Sequence, residues 1–234
     1  MVKEELIKRS PVRILEQSMH GGLGKGNIGV LASRKGVGKT ACLVHMATDK
    51  LFQQKPVIHV SYSSRVDHII SWYEDIFREI ARGLKLESAT EVHDEIIRNR
   101  VIMNFSQEGM KVEQVLRSLE AMIKDGNFAA ETVIVDGYTF KTTSPEDLAK
   151  FREFADKMGL EVWFSASLKG PEPLFDEKGF PEELKCCLGK VDVLITLRHL
   201  HNKVQLHLLK DHDFPSPDEL KLILDPTSLL IAGS

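Results

Sequence analysis

The residues best suited to chemistry form one run, Ser33-Arg34-Lys35-Gly36-Val37-Gly38-Lys39-Thr40. They fit the pattern G-x-x-x-x-G-K-[ST] at every specified position except the first, where Ser33 stands for glycine. The chemistry is anion binding. Successive backbone N–H groups from Ser33 through Ala41 form a concave nest, and a helix beginning there adds its positive end. Lys39 places a compact charge on β and γ phosphates, and Thr40 offers a hydroxyl to Mg²⁺. Arg34 and Lys35 add positive charge beside the nucleotide. Ser33 sets a condition: a backbone φ above zero there would cost serine more than glycine. The second half of such a site is Thr132-Val133-Ile134-Val135-Asp136-Gly137. It is an apolar run ending in a carboxylate, and Asp136 would hold the Mg²⁺ through its water shell. Lys39 and Asp136 are thus the candidate catalytic residues, and Thr40 and Asp136 the candidate metal ligands.

These groups must be carried by a strand before the loop and a helix after it. Ile28–Ala32 reads as the strand and Thr40–Phe52 as the helix. Further strands are expected over Val57–Ser61, Val101–Phe105, Thr132–Val135 and Val162–Ser165, and further helices over Val66–Arg82, Val112–Lys124 and Pro145–Lys157. In the second helix Ile69, Ile70, Trp72, Tyr73, Ile76, Phe77 and Ile80 recur at three and four residues, a core-facing stripe. Ser144-Pro145-Glu146-Asp147 carries the signals of a helix start. Residues 167–190 read as a long charged loop with acidic and basic side chains in near balance, Glu172 and Glu183 among them. Val191–Leu197 and Val204–Leu209 read as a hairpin turning near His201, followed by Leu220–Leu224. Alternating strands and helices ending in strands predict an α/β fold: a mostly parallel central sheet flanked by helices, with a C-terminal antiparallel β extension. The domain reading is a lead or linker over 1–26 and a single domain over 27–234.

Composition narrows the classes. The chain has 234 residues, 42% hydrophobic and 28% charged, which excludes wholesale disorder. Its formal net charge of -3 lacks the basic excess of most duplex-binding proteins. The three cysteines, Cys42, Cys186 and Cys187, make no disulfide framework and fit a reducing cytosol. The first twenty residues are too charged for a signal peptide, and no apolar run reaches membrane-spanning length. The expectation is a cytoplasmic protein without membrane contact. His199, His201 and His207 gather on the hairpin without a clear carboxylate or thiolate partner, so a solvated hairpin is expected there.

A segment Gly21-Gly22-Leu23-Gly24-Lys25-Gly26-Asn27 precedes the loop strand. Together with the loop, the strand His59-Val60-Ser61, the Asp136 strand and the terminal β region, it resembles the RecA-like P-loop ATPases, especially the KaiC and RadA branch. The resemblance spans about residues 11 to 230. It implies a RecA-like core, ATP with Mg²⁺ as cofactors, and homo-oligomers, hexamers among them. It also implies a catalytic glutamate after the second strand, where this chain has Ser63, and Asp67 is offset from that place. A polar γ-phosphate sensor is implied at Ser165 or Ser167. Val191-Asp192-Val193-Leu194-Ile195 is similar to the family's A-D-x-x-I strand. The strand ending Leu208-Leu209-Lys210-Asp211-His212 matches a K-x-R pair only at Lys210, which by resemblance would act on a neighbouring subunit's nucleotide and so joins the catalytic candidates. His212 replaces the arginine and lacks its planar fork.

The function these readings imply is an ATP-binding regulator with weak or partner-dependent hydrolysis. A missing carboxylate base commonly costs 10²–10⁴-fold, roughly, in rate. The alternatives are a nucleotide-binding scaffold without turnover, or a recombinase or helicase relative acting on DNA; the near-neutral 167–190 loop disfavours nucleic acid.

Overall fold

The computed structural model describes residues 7, 10–62, 66–85, 89–106, 110–140, 144–170, 174–200, 203–214 and 220–233. In chain order the elements begin with α1 (Val12–Ser18), β1 (Ile28–Arg34), α2 (Lys39–Phe52), β2 (Val57–Ser61) and α3 (Val66–Leu84). They continue with α4 (Ala89–Arg98), β3 (Arg100–Asn104), α5 (Val112–Lys124), β4 (Thr132–Asp136), α6 (Pro145–Met158) and β5 (Glu161–Leu168). A 3₁₀ segment (Glu182–Lys190) leads to β6 (Val193–Leu200), β7 (Lys203–Asp211), β8 (Leu222–Leu224) and β9 (Ile231–Gly233).

The nine strands form one sheet in the order β3-β2-β4-β5-β1-β6-β7-β8-β9. The strands from β3 to β6 in that order run parallel, and β7, β8 and β9 add on antiparallel. This is the expected α/β sheet with its antiparallel extension.

Both faces of the parallel part are covered, which is why its strands are apolar at successive positions. Along β1, Ile28, Val30 and Ala32 enter one core with α5, α6 and the 3₁₀ segment. Leu31 enters the other, with α1, α2, α3 and α4. Gly29 faces that second core at a close approach: a Cβ there would sit 2.4 Å from the ring of Trp163, its register partner on β5. The stripe on α3 buries Ile69, Tyr73, Ile76, Phe77 and Ile80, while Ile70 stays exposed. At α6 the expected start holds: the Ser144 hydroxyl accepts the Asp147 N–H at 3.1 Å, Pro145 follows, and Gly159 ends the helix at φ 65°.

The structure differs from the sequence expectations in four places. The stretch expected as a lead contains α1, and its Val12, Leu15, Met19 and Leu23 are buried in the same core as α2 and α3. The helix α4 is short, with only Val92 and Ile96 buried, too few apolar positions to announce a period. Within the expected loop, the 3₁₀ segment buries Leu184 and Cys187 against the α5–α6 face. The strand β9 is only three residues long and pairs with β8. Glu172 and His201 lie outside the described residues. Among the described residues no helix is long and apolar enough to cross a membrane.

Candidate phosphate-binding site

In an open α/β sheet, ligands collect beyond the carboxyl ends of the strands where the chain reverses its direction of winding. Here β1 and β5 are neighbours. The chain leaves β1 through α2 toward β2 on one side, and leaves β5 through the 3₁₀ segment toward β6 on the other. The run 33–40 sits at that point.

Ser33 is still strand, paired with Ser167 of β5, and its φ is not in the left-handed region. The condition set by the missing first glycine is therefore met. The turn is made by Gly36 and Gly38, at φ 84° and 115°. Gly38 also leaves no room: a Cβ there would lie 2.2 Å from Cδ2 of Leu224 on β8, so the antiparallel extension braces the loop. Arg34, Lys35 and Gly36 are exposed, while Val37 and Ala41 are buried beneath them.

Lys39 is 6% exposed. Its Nζ donates to the Ser33 carbonyl (3.2 Å), the Ser33 hydroxyl (3.2 Å) and the Arg34 carbonyl (3.0 Å). Serine at the first position thus gives Lys39 an acceptor that glycine would not. All three partners are neutral, and burial pushes the Lys39 ammonium down to about 8, opposed in part by the Asp136 carboxylate and by Cys42. Burial pushes the Cys42 thiol up to about 12, so it is no nucleophile.

Asp136 ends β4 in register with Ser61 at the end of β2. The Thr40 hydroxyl donates to Asp136 Oδ2 at 2.9 Å, although 96 residues separate them in sequence. The loop and the carboxylate are thus brought together as the sequence predicts. Both are oxygen donors, one of them anionic, the set a hard divalent cation such as Mg²⁺ takes alongside phosphate oxygens and water. Among the described residues there is no group of three His, Cys, Asp or Glu that could hold a metal.

Of the two sensor candidates, Ser165 is buried and its hydroxyl accepts the Gly137 N–H at 2.8 Å, fixing the turn after Asp136. Ser167 lies beside Ser33 at the loop edge and is half-buried. Ser63 lies outside the described residues. Asp67 falls in the first turn of α3 and is exposed, a place where a carboxylate complements the helix dipole.

Lys210 is not brought to this site within the chain. It pairs with Leu194, which pairs with Val30, so it is level with a point three residues, roughly 10 Å, behind Ser33. Its Nζ donates to the Val191 and Leu188 carbonyls, the latter at 3.1 Å. His212 is at the same remote end, where its Nε2 meets the Leu23 carbonyl at 3.0 Å and its Nδ1 meets Asp211 at 2.8 Å. Burial opposes charge on His212, but Asp211, the Leu23 carbonyl and Asp192 outweigh it and raise its pKa. The glycine-rich lead is therefore latched to the end of β7, away from the 33–40 loop. His199 is exposed, as a solvated hairpin requires.

Sequence reasoning missed His59 as part of this region. It lies on β2 two residues before Ser61, so alternation puts it on the same sheet face as Ser61. It is fully buried, its Nδ1 is 3.2 Å from the Tyr73 hydroxyl, and its Nε2 has no partner. Arg100 covers the Tyr73 ring at 4.4 Å. Burial pushes the His59 imidazole down, against the pull of Asp136 and with the push of Arg100. The available signal was an imidazole inside an otherwise apolar strand.

Compared with known proteins, the sequence matches no protein-family model and no curated protein.

Proposed function

We propose that the chain binds a nucleoside triphosphate as its Mg²⁺ complex at the 33–41 loop, with ATP as the nucleotide, and acts as an ATP-dependent regulator whose hydrolysis is weak or depends on a partner. One observation carries the reading: Thr40 and Asp136, remote in sequence, meet at 2.9 Å beside a buried Lys39 that has no carboxylate hydrogen-bond partner among the described residues. A cation held under neutral acceptors at the start of a 14-residue helix is poised for an anion. ATP rather than another nucleotide, and a RecA-like core of the KaiC and RadA kind, rest on the motif resemblance. So does assembly into homo-oligomers. A role for Lys210 on a neighbouring subunit's nucleotide requires its Nζ to leave the Leu188 and Val191 carbonyls.

The test is a calorimetric titration of Mg-ATP into the protein and into Lys39→Ala. Saturable binding is expected for the native chain, weakened about 100-fold or more by loss of a charge-assisted contact in the variant. Sustained heat after each injection would mark turnover, and a flat baseline a switch without it. Equal affinities in the two proteins would remove the loop as the site.

A further inference from the structure

The far end of α2 opens on a space that the 33–40 loop does not use. A cavity of about 260 Å³ lies between α2, α3, the chain entering α1 and the β8–β9 turn. His45 and Phe52 line it from α2, about 5 and 12 positions beyond Thr40, which places it roughly 8–18 Å along the helix axis from the loop. Phe52, Ile80 and Leu230 supply apolar walls.

The charged groups of the lining are already paired. Asp49 accepts from Arg13 and from Gln53 (2.8 Å) at Oδ2, and its Oδ1 is sealed within the protein, out of reach of the cavity. Glu79 pairs with Arg82 at 2.6 Å. No Lys or Arg is among the described residues that line the space. The lining therefore calls for neither a cation nor an anion.

One buried polar group is left over. His45 is 3% exposed, and its Nδ1 accepts the Ile231 N–H at 2.9 Å. A backbone N–H only donates, so Nδ1 is bare and the ring proton sits on Nε2. Burial pushes the imidazole pKa down to about 4, so the ring is neutral at pH 7. Among the described residues nothing accepts the Nε2–H, and unlike Nε2 of His59 this atom keeps accessible surface. The ring lines the cavity, and that surface opens into it. A donor left unpaired between apolar walls is costly, and an oxygen placed against it recovers the bond. Ser10 and Ser228 also line the space. Their hydroxyls accept the N–H groups of Val12 (3.3 Å) and Leu230 (3.4 Å), which leaves each O–H to donate. What the cavity offers is a set of neutral donors.

We propose that this cavity is a second ligand site, for a small neutral molecule with an acceptor oxygen: a carbonyl whose oxygen takes the His45 Nε2–H, on an apolar body that packs on Phe52, Ile80 and Leu230. It does not depend on the nucleotide reading. The oxygen supplies the acceptor the lining lacks, and the apolar body fills the space its walls enclose.

The experiment titrates acetophenone into the full chain at neutral pH, and separately α-methylstyrene, its isostere with CH₂ in place of the carbonyl oxygen. NMR follows the ¹⁵N shift of His45 Nε2 and the amides around the cavity. The ketone should saturate and move the Nε2 signal. His45→Asn keeps an oxygen for the Ile231 N–H but withdraws the outer edge of the ring. In that variant the ratio of the two affinities should shift about tenfold toward the hydrocarbon, a comparison in which the differing hydrophobicity of the probes cancels. Gly83→Phe gives the blocking variant. Gly83 lines the cavity from an exposed position on α3, and a Cβ there meets nothing within 4 Å, so the added ring covers the opening without displacing the core. It should abolish binding of both probes. The melting curve of His45→Asn is checked first, and if it fails to fold, the Nε2 shift and Gly83→Phe decide. A ketone that does not saturate, an unmoved Nε2 signal, an unchanged ratio in folded His45→Asn, or unchanged binding in Gly83→Phe would overturn the proposal.

Discussion

Under the proposed function, Lys39 should make nucleotide affinity pH-dependent in an unusual range. Its ammonium is 6% exposed and held by three neutral acceptors, and burial brings its pKa from 10.5 to about 8. A triphosphate in the loop replaces that deficit with negative charge and keeps the lysine protonated. Near pH 8 about half of the free protein lacks the proton, so binding should take up about half a proton per nucleotide. Between about pH 7.5 and 9.5 the affinity should fall about 25-fold, or about 1.9 kcal/mol, because the free protein must regain the proton first. Calorimetry in two buffers of different ionisation enthalpy measures both the uptake and the affinity. Lys39→Arg, which stays charged, should remove the slope. The sign for stability is the reverse of that for binding. Since the folded pKa lies below the unfolded one, the unfolded chain holds more protons between about pH 8 and 10.5, and the unliganded fold gains stability as pH rises through that window. Constant affinity with no proton uptake would refute the electrostatic account of the loop.

Two further outcomes follow from the same contacts. Gly38→Ala must hold a left-handed φ and press on Leu224, so urea unfolding should show a loss of about 2–4 kcal/mol, and a loss under about 1 kcal/mol would contradict the bracing of the loop by β8. His45 is held down to about 4 by burial, and His59 is pushed down likewise; between about pH 6.5 and 4 the unfolded chain therefore gains protons the folded one refuses, and stability falls as pH falls. His59→Phe should make that acid slope shallower, and an unchanged slope in stability-versus-pH curves would show that His59 does not titrate as its burial requires.

Much of the sheet is legible in the sequence because most of its parallel strands are apolar runs bounded by turn residues and separated by amphipathic helices. The β1, β2, β4 and β5 runs and the helices α2, α3, α5 and α6 all carry that signature over a turn or more. What escaped were elements whose stability comes from packing rather than period. α1 has seven residues and only Val12 and Leu15 buried within it, yet the chain that follows adds Met19 and Leu23 to the same core. The 3₁₀ segment hides among charges because only Leu184 and Cys187 turn inward. The strand β9 is three residues long and exists because β8 offers it an edge.

The local pattern by itself determined the glycine-rich turn at 33–40, its flanking strand and helix, and the carboxylate at the end of β4, since each depends on residue types a few positions apart. Only the tertiary structure decided which distant groups share a place. Strand order sets Asp136 against Thr40. The register of β6 and β7 carries Lys210 and His212 to the other end of the sheet. The fold also decided that Ser33 could replace glycine, because there the chain is still strand and the hydroxyl meets Lys39. The physical reason is one of range: backbone propensity and side-chain period act over a turn or a strand. The pairing of strands, the closing of a cavity behind α2 and the desolvation of Lys39 depend on segments that meet only when the whole chain is folded.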